Sequence, residues 1–417
     1  ERLEEELKEA YPATTGHPNK PIRLMVGLHY LRYMFNLSDE RVVWAYLENP
    51  YYQYFCGEKV FQHRFPLDRS SLSRFRGRLK KKKLYALLQE TIKSGFKTRV
   101  LKKRSVKTAV IDSTVQEKNI AYPTDAKLTY KGLVLLRNLA HSVGIQLRQS
   151  YIRTGKKLLL KIGRYHHAKQ FRRQRKALKR LKSRLGRVVR EILRKTEARS
   201  IALSEKDKTL IEQCQRLLKQ TRHSKNKLYS FHEPDVACIA KGKAHKRYEF
   251  GNKSTFITSA KECFILHAQA HEGNPYDGHT LREALDAANA SLQNLIGQEI
   301  ETLMNDKGYR GHGYEGNTMV LTETPANKKK HKKLRRRSSI EPVFSHVKQH
   351  HRMGRNFLKG TAGDQLNTIL AACGYNLKKI YNHFLKTYRK RLAFLWCLLF
   401  GMVLGQGRRL QWAVVGN

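Results

Sequence analysis

Apolar positions recur at helical spacing through the first hundred residues. Ile22, Leu24, Met25, Leu28, Leu31 and Met34 follow Pro21, a residue suited to a helix's first turn. Residues 1–20 are polar, hold Pro12 and Pro18, and read as a lead-in. Ser38-Asp39-Glu40 caps a second helix through Val42, Val43, Trp44, Tyr46 and Leu47, which Pro50 stops. An aromatic-rich loop fills 51–65. Asp68-Arg69-Ser70-Ser71 then caps a third helix, Ser71 to Lys83, carrying Arg74, Arg76, Arg78 and Lys80 to Lys83. Short helices ending in a capped basic one have the form of a helix-turn-helix module, and equally that of a small bundle with a solvated basic face.

The period changes after a basic link at 97–104. Val106 to Ile111 is a β-branched run ending at Asp112, which predicts a buried strand with a carboxylate at its C-terminal end. From Tyr130 to Ser230 the pattern is helical again. Leu178, Leu181, Leu185 and Leu193, with Val188 and Val189, form an apolar stripe among charges and predict two long antiparallel helices. Strand signals return at 248–258 and 263–271, a hairpin candidate. Asp277-Gly278-His279-Thr280 caps a helix over 281–295, Glu301 to Asp306 is a strand ending on an acid, and Met319 to Thr322 is a short fifth strand. A last helix runs through Glu341, Val343, Phe344 and Val347. Strand, helical block, strand, strand, helix, strand, strand, helix is an α/β order with a helical block inserted after the first strand. The division that follows is a lead-in (1–20), a helical domain (21–96), a sheet domain in two pieces (105–129 and 231–385), a basic helical insertion (130–230) and a basic, apolar tail (386–417).

Charge narrows the function. The 417 residues hold 83 Lys and Arg against 34 Asp and Glu, a formal net charge of +49. A hydrophobic share of 40% is too rich for a disordered polycation, so the charge sits on folded surfaces. Residues 151–230 alone hold 26 Lys and Arg against 5 Asp and Glu. Such a surface needs a polyanion, and nucleic acid is the first candidate. Six well-separated Cys show neither disulfide nor zinc spacing and fit a reducing cytoplasm. The longest uncharged stretch, Leu392 to Gly405, is too short to span a bilayer. Secreted disulfide scaffolds and membrane transporters are thereby set aside.

Three acids stand out by position. Asp112 and Asp306 close apolar strands, where α/β sheets present functional groups, and Glu341 opens a helix behind the basic tract at 328–337. Gathered in a basic surround, three carboxylates suit Mg²⁺ or Mn²⁺ as hard oxygen ligands. Each taken singly also reads as a turn or helix cap. Glu249 and Asp277 are the acids best placed to displace one of the three, and otherwise read as an exposed strand position and a helix cap. Asn356 and Lys359 read either as phosphate neighbours or as turn residues.

The segments AVIDST (109–114), YEFGNK (248–253), GHTL (278–281), NDKGYRG (305–311), SSIEPVFSHVKQHHRMGRNFLKG (338–360) and GDQLNTILAACGYNLKK (363–379) resemble bacterial insertion-sequence transposases of the DDE class, most nearly the insertion-sequence-five family. The resemblance covers most of the chain, including an N-terminal helical block at about 15–90. It implies an RNase H-like mixed sheet and an N-terminal all-helical DNA-binding domain. It further implies Asp112, Asp306 and Glu341 as catalytic acids and ligands of two Mg²⁺ or Mn²⁺ ions. Within the related Tyr, Arg, Glu, Lys signature, Arg337 and Lys348 stand where the pattern asks, as DNA-phosphate contacts, while Leu334 replaces the Tyr. Arg74, Arg76, Arg78, Arg172, Arg173 and Arg175 are the further expected DNA contacts. The expected partners are double-stranded DNA, as terminal inverted repeats and target, and a second copy in a dimer or larger assembly. A catalytically silent DNA-binding protein of the same fold, and a nuclease without strand transfer, are the other readings.

Overall fold

The structure is a computed structural model that describes residues 2–8, 20–79, 81–221, 223–225, 227–240, 247–324 and 332–401. Much of the lead-in, part of the basic tract at 328–337 and the end of the tail fall outside those residues.

The N-terminal part is a run of helices: α1 (Arg2–Lys8), α2 (Ile22–Met34), α3 (Asp39–Glu48), α4 (Pro50–Phe55), α5 (Arg69–Arg78), α6 (Lys81–Lys97) and α7 (Lys103–Val106). Ser38 caps α3, as expected, and Asp68 caps α5. Pro50 does more than stop α3. With Asn49 as cap it occupies the first turn of α4, where its missing N–H costs nothing. The basic stretch predicted as one helix over 71–83 is two, broken near Leu79.

Strand β1 (Thr108–Glu117) is longer than its apolar run, so Asp112 lies in mid-strand rather than at the end. The insertion follows with four helices instead of two: α8 (Asp125–Ser142), α9 (Ile152–His167), α10 (Phe171–Ala198) and α11 (Glu205–Lys219). Leu181, Leu185, Val188 and Ile192 form the buried stripe of α10, and they pack with α8, α9 and α11 into a core of their own. The helix boundaries were hidden because the first loop, 143–151, carries apolar residues into the same core as the helices it joins.

Then come β2 (Ala237–Ala240), β3 (Tyr248–Ser259), β4 (Ile265–Ala270), α12 (Asp277–Ile296), β5 (Thr302–Asn305), β6 (Met319–Thr322), α13 (Ile340–His350) and α14 (Gly360–Gly401). The sheet order is β2-β3-β1-β5-β6, with β4 also paired to β3. β1 runs antiparallel to β3 and parallel to β5, which is parallel to β6. The predicted hairpin is β3–β4. β2 escaped prediction because four residues, Ala-Cys-Ile-Ala, carry almost no alternation.

The N-terminal helices share one hydrophobic core with the sheet. α2 is buried from Leu24 to Tyr33 and needs cover on every side. α14 supplies it by packing against α2, α6 and β4. At the closest point a Cβ on Gly374 would stand 2.6 Å from the Tyr33 carbonyl carbon, so this crossing requires glycine. Even α1, inside the expected lead-in, buries Leu7 completely. Among the described residues no helix is long and apolar enough to cross a membrane.

Candidate active site

The last paired residues of β1 and β5 are Val110 and Met304, in parallel register. Two residues further along each chain stand Asp112 and Asp306, so strand pairing alone brings them level. Burial is the main force on Asp112 and the Asp306 charge the second; together they push its carboxyl up to about 7, against the pull of the Ser113 amide and Arg337. Asp306 folds back to accept a hydrogen bond from the Gly308 amide at 2.9 Å.

Glu341 arrives from α13. Pro342 sits in that helix's first turn, as its missing N–H demands, and Arg337 precedes the helix in a 3₁₀ segment, Lys332–Ser339. Arg337 ties the acids together. Its guanidinium lies 4.0 Å from Asp112 and 3.3 Å from Glu341, and its Nε pairs with Glu323 at the end of β6. Glu323 was not legible as a site residue, since it lies beside the basic tract and belongs to no motif.

Asp277 is neither a cap nor a bystander. Tyr276 holds the cap position of α12, and the Asp277 side chain accepts hydrogen bonds from Ser113 Oγ at 2.6 Å and Lys253 Nζ at 3.1 Å. A Cβ on Gly308 would stand 3.0 Å from Asp306 Oδ1 and 3.3 Å from Asp277 Oδ2, so a bare glycine is what lets these two carboxylates approach. Tyr309, buried beside them, has its phenol pushed up by burial first and then by the charges of Asp112, Asp277 and Asp306. Glu249, expected on an exposed strand face, is instead buried, 4.0 Å from Lys348.

Among the described residues no three Asp, Glu, His or Cys side chains close on one point at metal-ligand range. Glu341 is more than half exposed and drawn onto Arg337. The donor chemistry nevertheless fits a hard cation. Oxygen ligands crowd at Asp112 and Asp306 with like charge, and the hydrogen of Gly308 leaves room beside them.

The expected DNA contacts divide. Arg74 and Arg78 are exposed on α5, and Arg172, Arg173 and Arg175 are exposed on the first turns of α10. Arg76 is a correction: both its terminal nitrogens are bound to Asp39, at 2.8 and 2.7 Å, with Arg32 on the same carboxylate. A bidentate pair with only 8% of the arginine exposed holds α5 against α3, so this cation is withdrawn from any phosphate. Asn356 also turns inward, donating to Asp364 at 2.6 Å. Leu334, at the tyrosine position of the signature, is packed in the main core.

Asn356 belongs to a buried network that sequence reasoning missed. Lys118 Nζ lies 2.9 Å from Asp364 and 3.1 Å from Glu233, and donates to the carbonyls of Leu358 and Gly360. Asn252 also donates to Asp364. The polar residues inside NFLKG and GDQLN were the available signal.

A family described as a transposase domain matches residues 1–78, and one described as a transposase DDE domain matches residues 207–377. The uncharacterized protein ORF8 in the nfe locus of Rhizobium meliloti is 44% identical over 156 residues, 37% of this chain and 75% of that protein. No solved structure matches.

Proposed function

The chain belongs to the DDE transposases of insertion sequences, and from that premise we propose that it cuts DNA at the ends of its element and joins the freed 3′-OH to target DNA, with Asp112, Asp306 and Glu341 as its catalytic acids. The observation that carries this reading is the level placement of Asp112 and Asp306 on neighbouring parallel strands, with Arg337 spanning from Asp112 to Glu341. A central β1 with β3 as its antiparallel neighbour on one side, β4 beyond β3 running parallel to β1, and parallel β5 and β6 on the other side supports an RNase H-like sheet. The quoted motifs favour the insertion-sequence-five branch.

Asp112, Asp306 and Glu341 would hold two Mg²⁺ or Mn²⁺ ions, which when bound activate water and stabilise the attacking and leaving oxygens of phosphodiester exchange. Arg337 keeps Glu341 beside Asp112; a DNA phosphate would compete for its guanidinium, and the cations for the Glu341 carboxylate. Lys348, seven residues beyond Glu341 on α13, adds positive charge for the phosphate of the strand being cut. Burial of Asp112 keeps bulk water from solvating its charge.

DNA is held elsewhere in this reading. Arg74 and Arg78 on the N-terminal helices and Arg172, Arg173 and Arg175 on the insertion contact backbone phosphates of the element's ends. A dimer or larger assembly pairs the two ends, in the cytoplasm where the host DNA lies. The test is to incubate the protein with a labelled duplex carrying the element's terminal repeat, Mg²⁺ and a target plasmid. Joined product supports the proposal. Cleavage without joining reduces it to a nuclease, and binding alone to a catalytically silent DNA-binding protein.

A further inference from the structure

We propose that Asp277 is a positioning residue of the catalytic site, orienting Asp112 through Ser113 with Lys253 as its counter-charge. The inference rests on the metal-site reading above and adds a residue to it. Three hydrogen bonds carry it in series. Lys253 Nζ donates to Asp277 Oδ1 at 3.1 Å, Ser113 Oγ donates to the same oxygen at 2.6 Å, and the Ser113 amide donates to Asp112 Oδ1 at 2.7 Å. Ser113 is thus held at both ends, by its hydroxyl on α12 and by its amide on the catalytic carboxylate.

Lys253 gives the arrangement its charge balance. Only a tenth of its side chain is exposed, and a second bond to the Pro275 carbonyl at 2.7 Å fixes its head group. Without this cation Asp277 would be a third negative charge beside Asp112 and Asp306. With it, Asp277 can approach Asp306 across Gly308, its second oxygen facing the space that a Cβ would fill. A carboxylate that accepts from both a hydroxyl and a buried ammonium is stiff. That stiffness passes to the Asp112 rotamer, as outer-shell partners do for metal ligands.

The position of each group explains why the pieces are far apart in sequence. β1 brings Ser113, β3 brings Lys253 and the start of α12 brings Asp277; α12 packs against both strands. The segments YEFGNK and GHTL hold or adjoin two of these residues in the chain. They meet Asp112 only through the sheet.

The test measures Mn²⁺ binding to the full chain without DNA, by electron paramagnetic resonance of free Mn²⁺. Asp112→Asn, a metal ligand in this reading, should lose most of the affinity. Asp277→Ala and Ser113→Ala should each lose about 10- to 100-fold. The double variant should be no weaker than Asp277→Ala, because both act through one path. Ser113→Ala removes only a hydroxyl and gives the same readout should alanine at 277 compromise folding. Should Asp112→Asn bind weakly while both other single variants bind as the wild type, even with a lowered melting temperature, Asp277 would be a structural residue and the inference would fall. Wild-type binding by Asp112→Asn would overturn the metal reading and this inference together.

Discussion

In the sheet body, Lys118 is 1% exposed between Asp364 and Glu233, and Arg76 is locked onto Asp39. In the insertion, Arg172, Arg173 and Arg175 stand in solvent around an apolar stripe. Both regions are rich in cations, yet they use them in opposite ways. A charge taken out of water is tolerated only when paired and hydrogen-bonded, so the body's buried cations serve to join elements. Lys118 ties β1 to the loop before α14 and to the segment leaving the insertion, and Gln116 and Asn367 extend that seam to Tyr33 of α2. The insertion gets its cohesion mainly from leucine, valine and isoleucine. Its exposed arginines stay hydrated, and hydrated charges are the ones that can exchange counterions for phosphates.

The largest effect separates chemistry from binding. Asp112→Asn, Asp306→Asn and Glu341→Gln should each abolish cleavage of a terminal-repeat duplex while a mobility-shift assay finds end binding near wild type. Loss of binding in step with cleavage would mean that the body's acids shape the whole DNA surface.

Next in size is Lys118→Met. It strands two buried carboxylates, and roughly 3–5 kcal/mol of stability should disappear from the body. Hydrogen exchange should show the seam around β1 and α14 opening while the amides of α10 keep their protection. Uniform loss of protection would show that the two cores unfold as one.

A third change acts on the insertion. Replacing Arg172, Arg173 and Arg175 by Gln should leave the melting temperature within about a degree, since exposed charges contribute little to stability. The log–log salt dependence of end binding should flatten by roughly 0.9 for each phosphate that is no longer neutralised. An unchanged slope would assign this face to a protein partner.

The smallest effect is with pH. Burial first, then Arg76, lowers the His29 imidazole to about 3, and burial lowers His351 to about 4. The unfolded chain protonates these groups near 6.5 while the fold refuses the proton. Their contribution is therefore complete above pH 6.5 and declines as pH falls from 6.5 toward 3–4, by about 1.4 kcal/mol per unit for each group. In the insertion His141, His166 and His167 are exposed rather than buried. Asp112 opposes them: with its carboxyl raised to about 7, the fold takes up its proton before the unfolded chain does, so it adds stability as pH falls below 7 and leaves the net change small. Denaturant melts at pH 7 and pH 5 should weaken the body slightly and spare the insertion.

Much of this was legible in the chain. Helices α2, α3 and α12, the β3–β4 hairpin and the first turn of α13 at Pro342 follow from periodicity, caps and the missing proline N–H. These are local effects, decided within a few residues. The motifs around Asp112, Asp306 and Glu341 pointed to the acids by their place next to apolar runs. The count of insertion helices was not legible, because the loop at 143–151 itself carries apolar Val143, Ile145 and Leu147 into the insertion core and so leaves no break in the pattern.

What the sequence determined by itself was the charge balance, the alternation of helical and strand segments, and which acids adjoin apolar runs. Only the tertiary structure decided which charges are available. Arg74 and Arg76 lie two residues apart on one helix, yet the second is consumed by Asp39, 37 positions earlier, and the first is largely exposed. Asp277 reads as a helix cap until Ser113, 164 positions earlier, donates to it. Pairing across such separations depends on which strands become neighbours. That is settled by burying the whole apolar surface at once, a condition no local stretch of the chain contains.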